Sequence, residues 1–138
     1  MRAWLANSDK VAGVIHGCGP LNKAFFAPPK AIDGLPKFTI DGIKVRLGLD
    51  PSVSSEELAG NLKVLSLAKQ GLFEGSKIDT PILAMTTNAD PIAPLDDLDA
   101  ALARGTNVKR VVFAVPGHCM DHDVREAIAS AWILDNLK

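Results

Sequence analysis

Two short apolar runs separated by a single helical segment constrain this chain more than any other feature. The first is Pro81-Ile-Leu-Ala-Met-Thr86 and the second is Val111-Val-Phe-Ala-Val115. Residues 95–104 between them read as a helix, with Asp96, Asp97 and Asp99 in its first turns and Gly105 past its end. Acidic residues there complement the positive end of the helix dipole. A last helix is expected over 122–137, with Val124, Ile128, Ala131 and Leu134 on one face. Strand, helix, strand and helix at this spacing imply a parallel sheet with right-handed crossovers, and so an α/β fold. The two runs are apolar throughout and do not alternate, which predicts strands covered on both faces.

Parallel strands deliver the loops that follow them to one carboxyl edge of the sheet, where open α/β sheets bind ligands. Asp90 lies in the loop Thr87-Asn-Ala-Asp90-Pro-Ile-Ala-Pro94, and His118 lies in Pro116-Gly-His118-Cys119. A histidine takes and returns protons near neutral pH. A carboxylate fixes its tautomer and stabilises the imidazolium. Alone, Asp90 reads as a turn or capping residue and His118 as a solvent-exposed loop histidine. Their placement on either side of one crossover favours a catalytic acid and base. His122, at the start of the last helix, is the weaker candidate for the base.

The upstream part is less regular. Residues 1–9 read as the end of a helix with Trp4 and Leu5 turned inward, and Val11-Ala-Gly-Val-Ile15 reads as a buried strand. His16-Gly-Cys-Gly-Pro20 breaks it. Residues 21–53 carry Pro28, Pro29, Pro36 and Pro51 and read as an irregular insertion. Ser54-Ser-Glu-Glu57 has the form of a capping box. It opens an amphipathic helix over 55–73 through Leu58, Leu62, Leu65, Ala68 and Leu72, with Gly71 and Gly75 as terminators.

Composition removes several function classes. The net charge of −1 and the lack of any basic run argue against nucleic acid as a partner. No apolar stretch approaches the roughly 20 residues of a membrane span, and the first residues lack the apolar core of a signal peptide. A cytoplasmic location with no membrane partner is the expectation. Gly13, Gly17 and Gly19 match no phosphate-binding fingerprint, and no zinc-ligand spacing occurs. No metal or organic cofactor is called for. With only Cys18 and Cys119, no disulfide is expected in a reducing compartment, although their loops share one sheet edge.

From Ile78 to Leu137 the chain resembles the C-terminal end of an α/β-hydrolase. In that family the triad acid follows the penultimate strand in a segment like Thr87–Pro94. The histidine follows the last strand in a segment like Gly117-His118-Cys119, and a closing helix carries a motif like Ala131-Trp-Ile-Leu134. The family order of nucleophile, acid and histidine is kept for the last two. Gly13-Val-Ile-His-Gly-Cys-Gly-Pro20 and Leu65-Ser-Leu-Ala-Lys-Gln-Gly71 resemble the capped esterase branch. That branch includes the fermentation/respiration-switch esterase, polyketide transferases and pseudooxynicotine hydrolases. One departure is Thr86-Thr-Asn88, where members often carry a glycine; Asn88 is expected to supply the turn through a positive φ.

This resemblance implies a partial hydrolase core over 1–20 and 75–138, with a mostly helical cap insertion over 21–74. Phe25, Phe26, Phe38 and Leu49 would line an apolar acyl site or pack helices. It also implies a Gly-x-Ser-x-Gly elbow, which no serine here fits. Cys18 lies between glycines, but Gly19 and Pro20 do not lead into a helix. Residues 1–9 resemble the end of the elbow helix, so the nucleophile and its oxyanion-hole donors are expected upstream of Met1. The leading expectation is the C-terminal part of a serine hydrolase acting on a small-molecule ester or acyl substrate, incomplete alone. The alternative is an inactive fragment or interaction module that needs an N-terminal partner half. A homo-oligomer is also compatible, and a thiol hydrolase built on Cys18 is the remote third reading.

Overall fold

The computed structural model describes residues 1–119 and 122–137. Three parallel strands run β1 (Val14–Gly17), β2 (Ile82–Ala89) and β3 (Val108–Pro116), side by side in that order. Helix α1 (Arg2–Asn7) precedes β1. Helices α2 (Pro29–Asp33), α3 (Lys37–Leu47) and α4 (Ser55–Leu62) lie between β1 and β2. Helix α5 (Leu95–Leu102) crosses from β2 to β3, and α6 (His122–Asn136) follows β3. The expected α/β class and order of elements therefore hold from Ile78 onward. Among the described residues no helix is long and apolar enough to cross a membrane.

The central strand organises the core because successive side chains of a strand point to opposite faces. Ile82 and Ala84 join Trp4, Leu5, Ile78, Leu98, Ala101 and Leu102 on one face. Leu83 and Met85 join Trp132 on the other, with Val111, Phe113, Ile128 and Ala129 packed around them. Trp4 is fully buried and its indole Nε1 donates to the Thr80 carbonyl at 2.7 Å. Gly105 makes this packing possible: a β-carbon there would stand 2.3 Å from Val108 Cγ2 and 3.1 Å from the Trp4 ring.

Coverage on both faces holds for β2 but not for β3, which is exposed along most of its length. The α5 side chains Leu98, Ala101 and Leu102 pack with Trp4 and Ile82, and so cover β2. Only Val111 and Phe113 of β3 turn toward the opposite cluster. The docked stripe of α6 also differs from the expected one. Trp132 is buried, with Ile128 and Ala129 packed beside it, while Val124 and Leu134 are exposed.

Residues 21–62 are helical rather than irregular. Helix α3 follows Pro36 and closes at Gly48, whose φ of 67° places it in the left-handed region that suits a helix C-terminus. Ile40, Ile43, Leu47 and Leu49 pack on a separate cluster of Ile32, Leu58, Ala59 and Leu62. The capping serine behaves as its motif demands, with Ser54 Oγ accepting from the Glu57 N–H at 3.2 Å. The helix expected over 55–73 ends at Leu62 and passes into a 3-10 turn, Lys63–Leu65. Tertiary contacts outweigh helix propensity there. Ser66 Oγ donates to Asn22 Oδ1 at 2.7 Å, the Leu67 N–H donates to the Leu21 carbonyl at 2.9 Å, and Leu67 enters the first cluster. One straight helix could not serve both clusters.

Candidate active site

Asp90 leaves β2 at a register irregularity: Thr87 pairs with Phe113, whereas Ala89 pairs with Pro116. The extra residue lies on β3. Such bulges re-aim side chains beside functional sites. Asn88 does not supply a positive φ, contrary to the expectation, since Cys18 and Cys119 are the only non-glycine residues found there among those described.

The carboxylate of Asp90 is fully buried. Its Oδ1 accepts from the Ile92 N–H at 2.8 Å and the Ala93 N–H at 2.9 Å, as in an Asx turn. The turn role and the partnership with His118 thus coexist in one side chain. Nδ1 of His118 lies 2.8 Å from Oδ2 and 2.9 Å from Oδ1. Burial works against the charge on Asp90. The Ala93 and Ile92 N–H groups and the His118 imidazole outweigh it, holding the carboxyl below its usual range.

His118 is aimed by the residues on either side of it. Gly117 has a φ of 99°, a conformation that suits a residue without a β-carbon, and its carbonyl accepts from Thr87 Oγ1 at 2.6 Å. With Nδ1–H donating to the carboxylate, a neutral imidazole keeps Nε2 free to accept a proton. The side chain is 35% exposed, so this nitrogen is reachable. His122 does not join the pair. It lies exposed on α6 with Nε2 3.4 Å from Glu126 Oε1 and Nδ1 3.7 Å from Asp123 Oδ1.

Among the described residues no serine hydroxyl meets His118. Ser66 bonds to Asn22, Ser52 to Asp50 and Ser55 to Asp33. Phe25 and Leu49 pack on the α2–α4 cluster, while Phe26 and Phe38 are exposed. No group of three or more His, Cys, Asp or Glu among the described residues is placed to hold a metal ion.

One feature overturns an expectation, since no disulfide was expected, and a second was not foreseen. The first is a disulfide between Cys18 and Cys119, with Cα atoms 5.3 Å apart across 101 residues of sequence. Strands β1 and β3 flank β2, so their loops start about two strand spacings apart, roughly 10 Å. Left-handed turns at both cysteines, φ 42° and 59°, bring the loops together. With its sulfur in this bond, Cys18 is not a free thiol nucleophile. The second feature is His16, which is buried at the end of β1. Burial, assisted by the Met1 ammonium and opposed by a hydrogen bond to the Gly19 backbone, lowers its pKa to about 4. It is neutral at physiological pH.

Comparison with known proteins agrees with this architecture. The fold matches AbyA5 with a TM-score of 0.68 at 16% identity, covering 97% of this chain and 38% of that one. It matches a hydrolase from Pseudomonas aeruginosa PA01 with a TM-score of 0.51 at 14% identity, covering 96% of this chain and 58% of that one. The sheet and its helices thus share the α/β fold of these chains. All of residues 1–138 match the FrsA-like esterase family model, and the chain belongs to that family. It is 35% identical over 112 residues to Esterase FrsA of Vibrio cholerae serotype O1, covering 80% of this chain and 26% of that protein. It is 35% identical over 97 residues to Esterase FrsA of Vibrio parahaemolyticus, covering 70% and 23% respectively. The chain thus spans about a quarter of the length of these curated relatives.

Proposed function

We propose that Asp90 and His118 are the acid and base of a serine-hydrolase triad acting on a small ester or acyl substrate, with the serine supplied from outside these 138 residues. The observation that carries this reading is the pairing of His118 Nδ1 with the buried Asp90 carboxylate at 2.8 Å. In the first half-reaction, Nε2 of His118 takes the serine proton as the hydroxyl oxygen attacks the acyl carbon. Asp90 stabilises the imidazolium, and Nε2 then protonates the departing alcohol. In the second half-reaction, water gives a proton to Nε2 as its oxygen attacks the acyl carbon, and Nε2 returns that proton to the serine oxygen as the acid departs. Residues 1–20 and 75–138 form part of the catalytic core on this reading, and residues 21–74 form a cap.

One observation favours the alternative of a docking module. The outer edge of β1 has no strand paired to it among the described residues, so its backbone groups are available to a further strand. The two readings are compatible if the arriving strand also brings the nucleophile. The direct test is p-nitrophenyl butyrate hydrolysis by the isolated 138-residue chain, alone and as His118→Ala. The expected result is no turnover above buffer in either sample. Turnover lost on His118→Ala would place a nucleophile inside these residues and overturn the external serine.

A further inference from the structure

We propose that Cys18 and Cys119 form a reversible redox site, a dithiol–disulfide couple that exchanges with small thiols and clamps the His118 loop to the end of β1. The linkage joins the loop after β1 to the residue that directly follows His118. The clamp therefore acts on the segment that aims the imidazole. The redox chemistry stands without the hydrolase reading; only its consequence for catalysis rests on His118 as base.

Three features mark the bond as exchangeable rather than a permanent staple. Cys119 is partly exposed, whereas Cys18 is buried, so one sulfur is open to attack by a small thiolate and the other is shielded. Arg125 Nη1 lies 3.7 Å from Cys18 Sγ, and its Nε is buried with no hydrogen-bond partner among the described residues. A disulfide sulfur is a poor acceptor, whereas a thiolate at the same place would pair with the guanidinium. Finally, Nε2 of His118 lies 3.6 Å from Cys119 Sγ. The guanidinium beside Cys18 favours its thiolate, and the unprotonated Nε2 beside Cys119 can take up that thiol's proton. Stabilising the reduced form makes a disulfide more easily reduced.

The exchange balances with a disulfide of the glutathione class as oxidant. The Cys119 thiolate attacks one sulfur of the reagent and displaces one reagent thiolate, leaving a mixed disulfide on Cys119. The Cys18 thiolate then attacks Cys119 Sγ, forms the internal bond and releases the second reagent thiolate. Two electrons pass from the cysteine pair to the reagent, and the two cysteine protons end on the two released thiols. Reduction by excess small thiol runs the same steps in reverse.

The test places the full 138-residue chain in mixtures of reduced and oxidised glutathione. Acid-quenched intact mass gives the redox state, and NMR gives the imidazole resonances of His118. The proposal expects interconversion of a dithiol and a form lighter by two hydrogens as the mixture is changed. Proteolysis of the lighter form should yield one cross-linked Cys18–Cys119 peptide pair, and the His118 resonances should shift between the forms. Cys18→Ser should lose the internal link and accumulate the mixed disulfide on Cys119, while Cys119→Ser should lose both. A link that persists in excess reduced glutathione is a structural staple and overturns the proposal. Thiols that stay free in excess oxidised glutathione overturn it as well, as does a link whose formation leaves His118 unshifted. None of these readouts uses ester hydrolysis, so a failure here is distinct from a failure of the triad.

Discussion

Acidification should weaken this fold through His16 before it reaches the carboxylates. The imidazole has an ordinary pKa of 6.5 in an unfolded chain and about 4 in this fold. Between those values the unfolded chain binds the proton that the folded chain refuses. The stability contributed by neutral His16 is therefore complete above about pH 6.5 and is lost as the pH falls through about 4. At about 1.4 kcal/mol per pH unit, the whole interval removes about 3 kcal/mol. That is a large part of the roughly 5–15 kcal/mol that holds a domain together. Asp90 acts at lower pH. Its carboxyl is held below the usual range, so its contribution is intact above the ordinary carboxylate pKa and is lost only on further acidification. Urea unfolding followed by tryptophan fluorescence, repeated in steps from about pH 7.5 to 4, separates the two residues. The wild-type chain should lose about 3 kcal/mol more across this interval than His16→Gln, which has no proton to take up. Equal slopes in the two proteins would refute a buried neutral imidazole at this position.

Three further outcomes follow from the geometry. Asp90→Asn should leave the loop turn largely intact but present an amide to Nδ1, favouring the wrong tautomer. In an active assembly kcat should fall by about 10³–10⁴-fold with a smaller change in KM, measured by steady-state ester hydrolysis. Gly117→Ala forces a β-carbon residue into a φ of 99°; it should cost about 1–3 kcal/mol and disturb the His118 resonances by NMR. Gly105→Ala drives a β-carbon to 2.3 Å from Val108 Cγ2 and against the Trp4 ring. Thermal or urea unfolding should show a loss of about 1–3 kcal/mol, as for other overpacked cores.

The C-terminal half was legible because its signals are local. Apolar runs, an acidic helix start and a terminating glycine fix strand, helix and strand without knowledge of the rest, and they bring Asp90 and His118 to one edge. Boundaries moved where long-range contacts decide them. The expected helix over 55–73 stops at Leu62 because Ser66 and Leu67 bond to Asn22 and Leu21, far away in sequence. Helix α3 was obscured by flanking prolines and glycines, although Ile40, Ile43 and Leu47 carry a helical spacing that could have revealed it. The exposure of β3 depends on which strand α5 covers, and an apolar run does not encode that. Nor did any sequence pattern announce the disulfide. It depends on two left-handed turns at cysteines, residues not expected to adopt them. The burial of His16 likewise depends on packing around the end of β1.

On the proposed reading, Asp90 and His118 serve as acid and base for a serine carried outside these residues. The most direct test of this reading is a chimaera in which the segment of the Vibrio cholerae FrsA esterase that matches this chain is exchanged for it, assayed with a p-nitrophenyl ester. Hydrolysis that His118→Ala or Asp90→Asn reduces by several orders of magnitude, in protein shown to be folded, is the predicted result. A folded chimaera whose hydrolysis is indifferent to both substitutions would contradict the account.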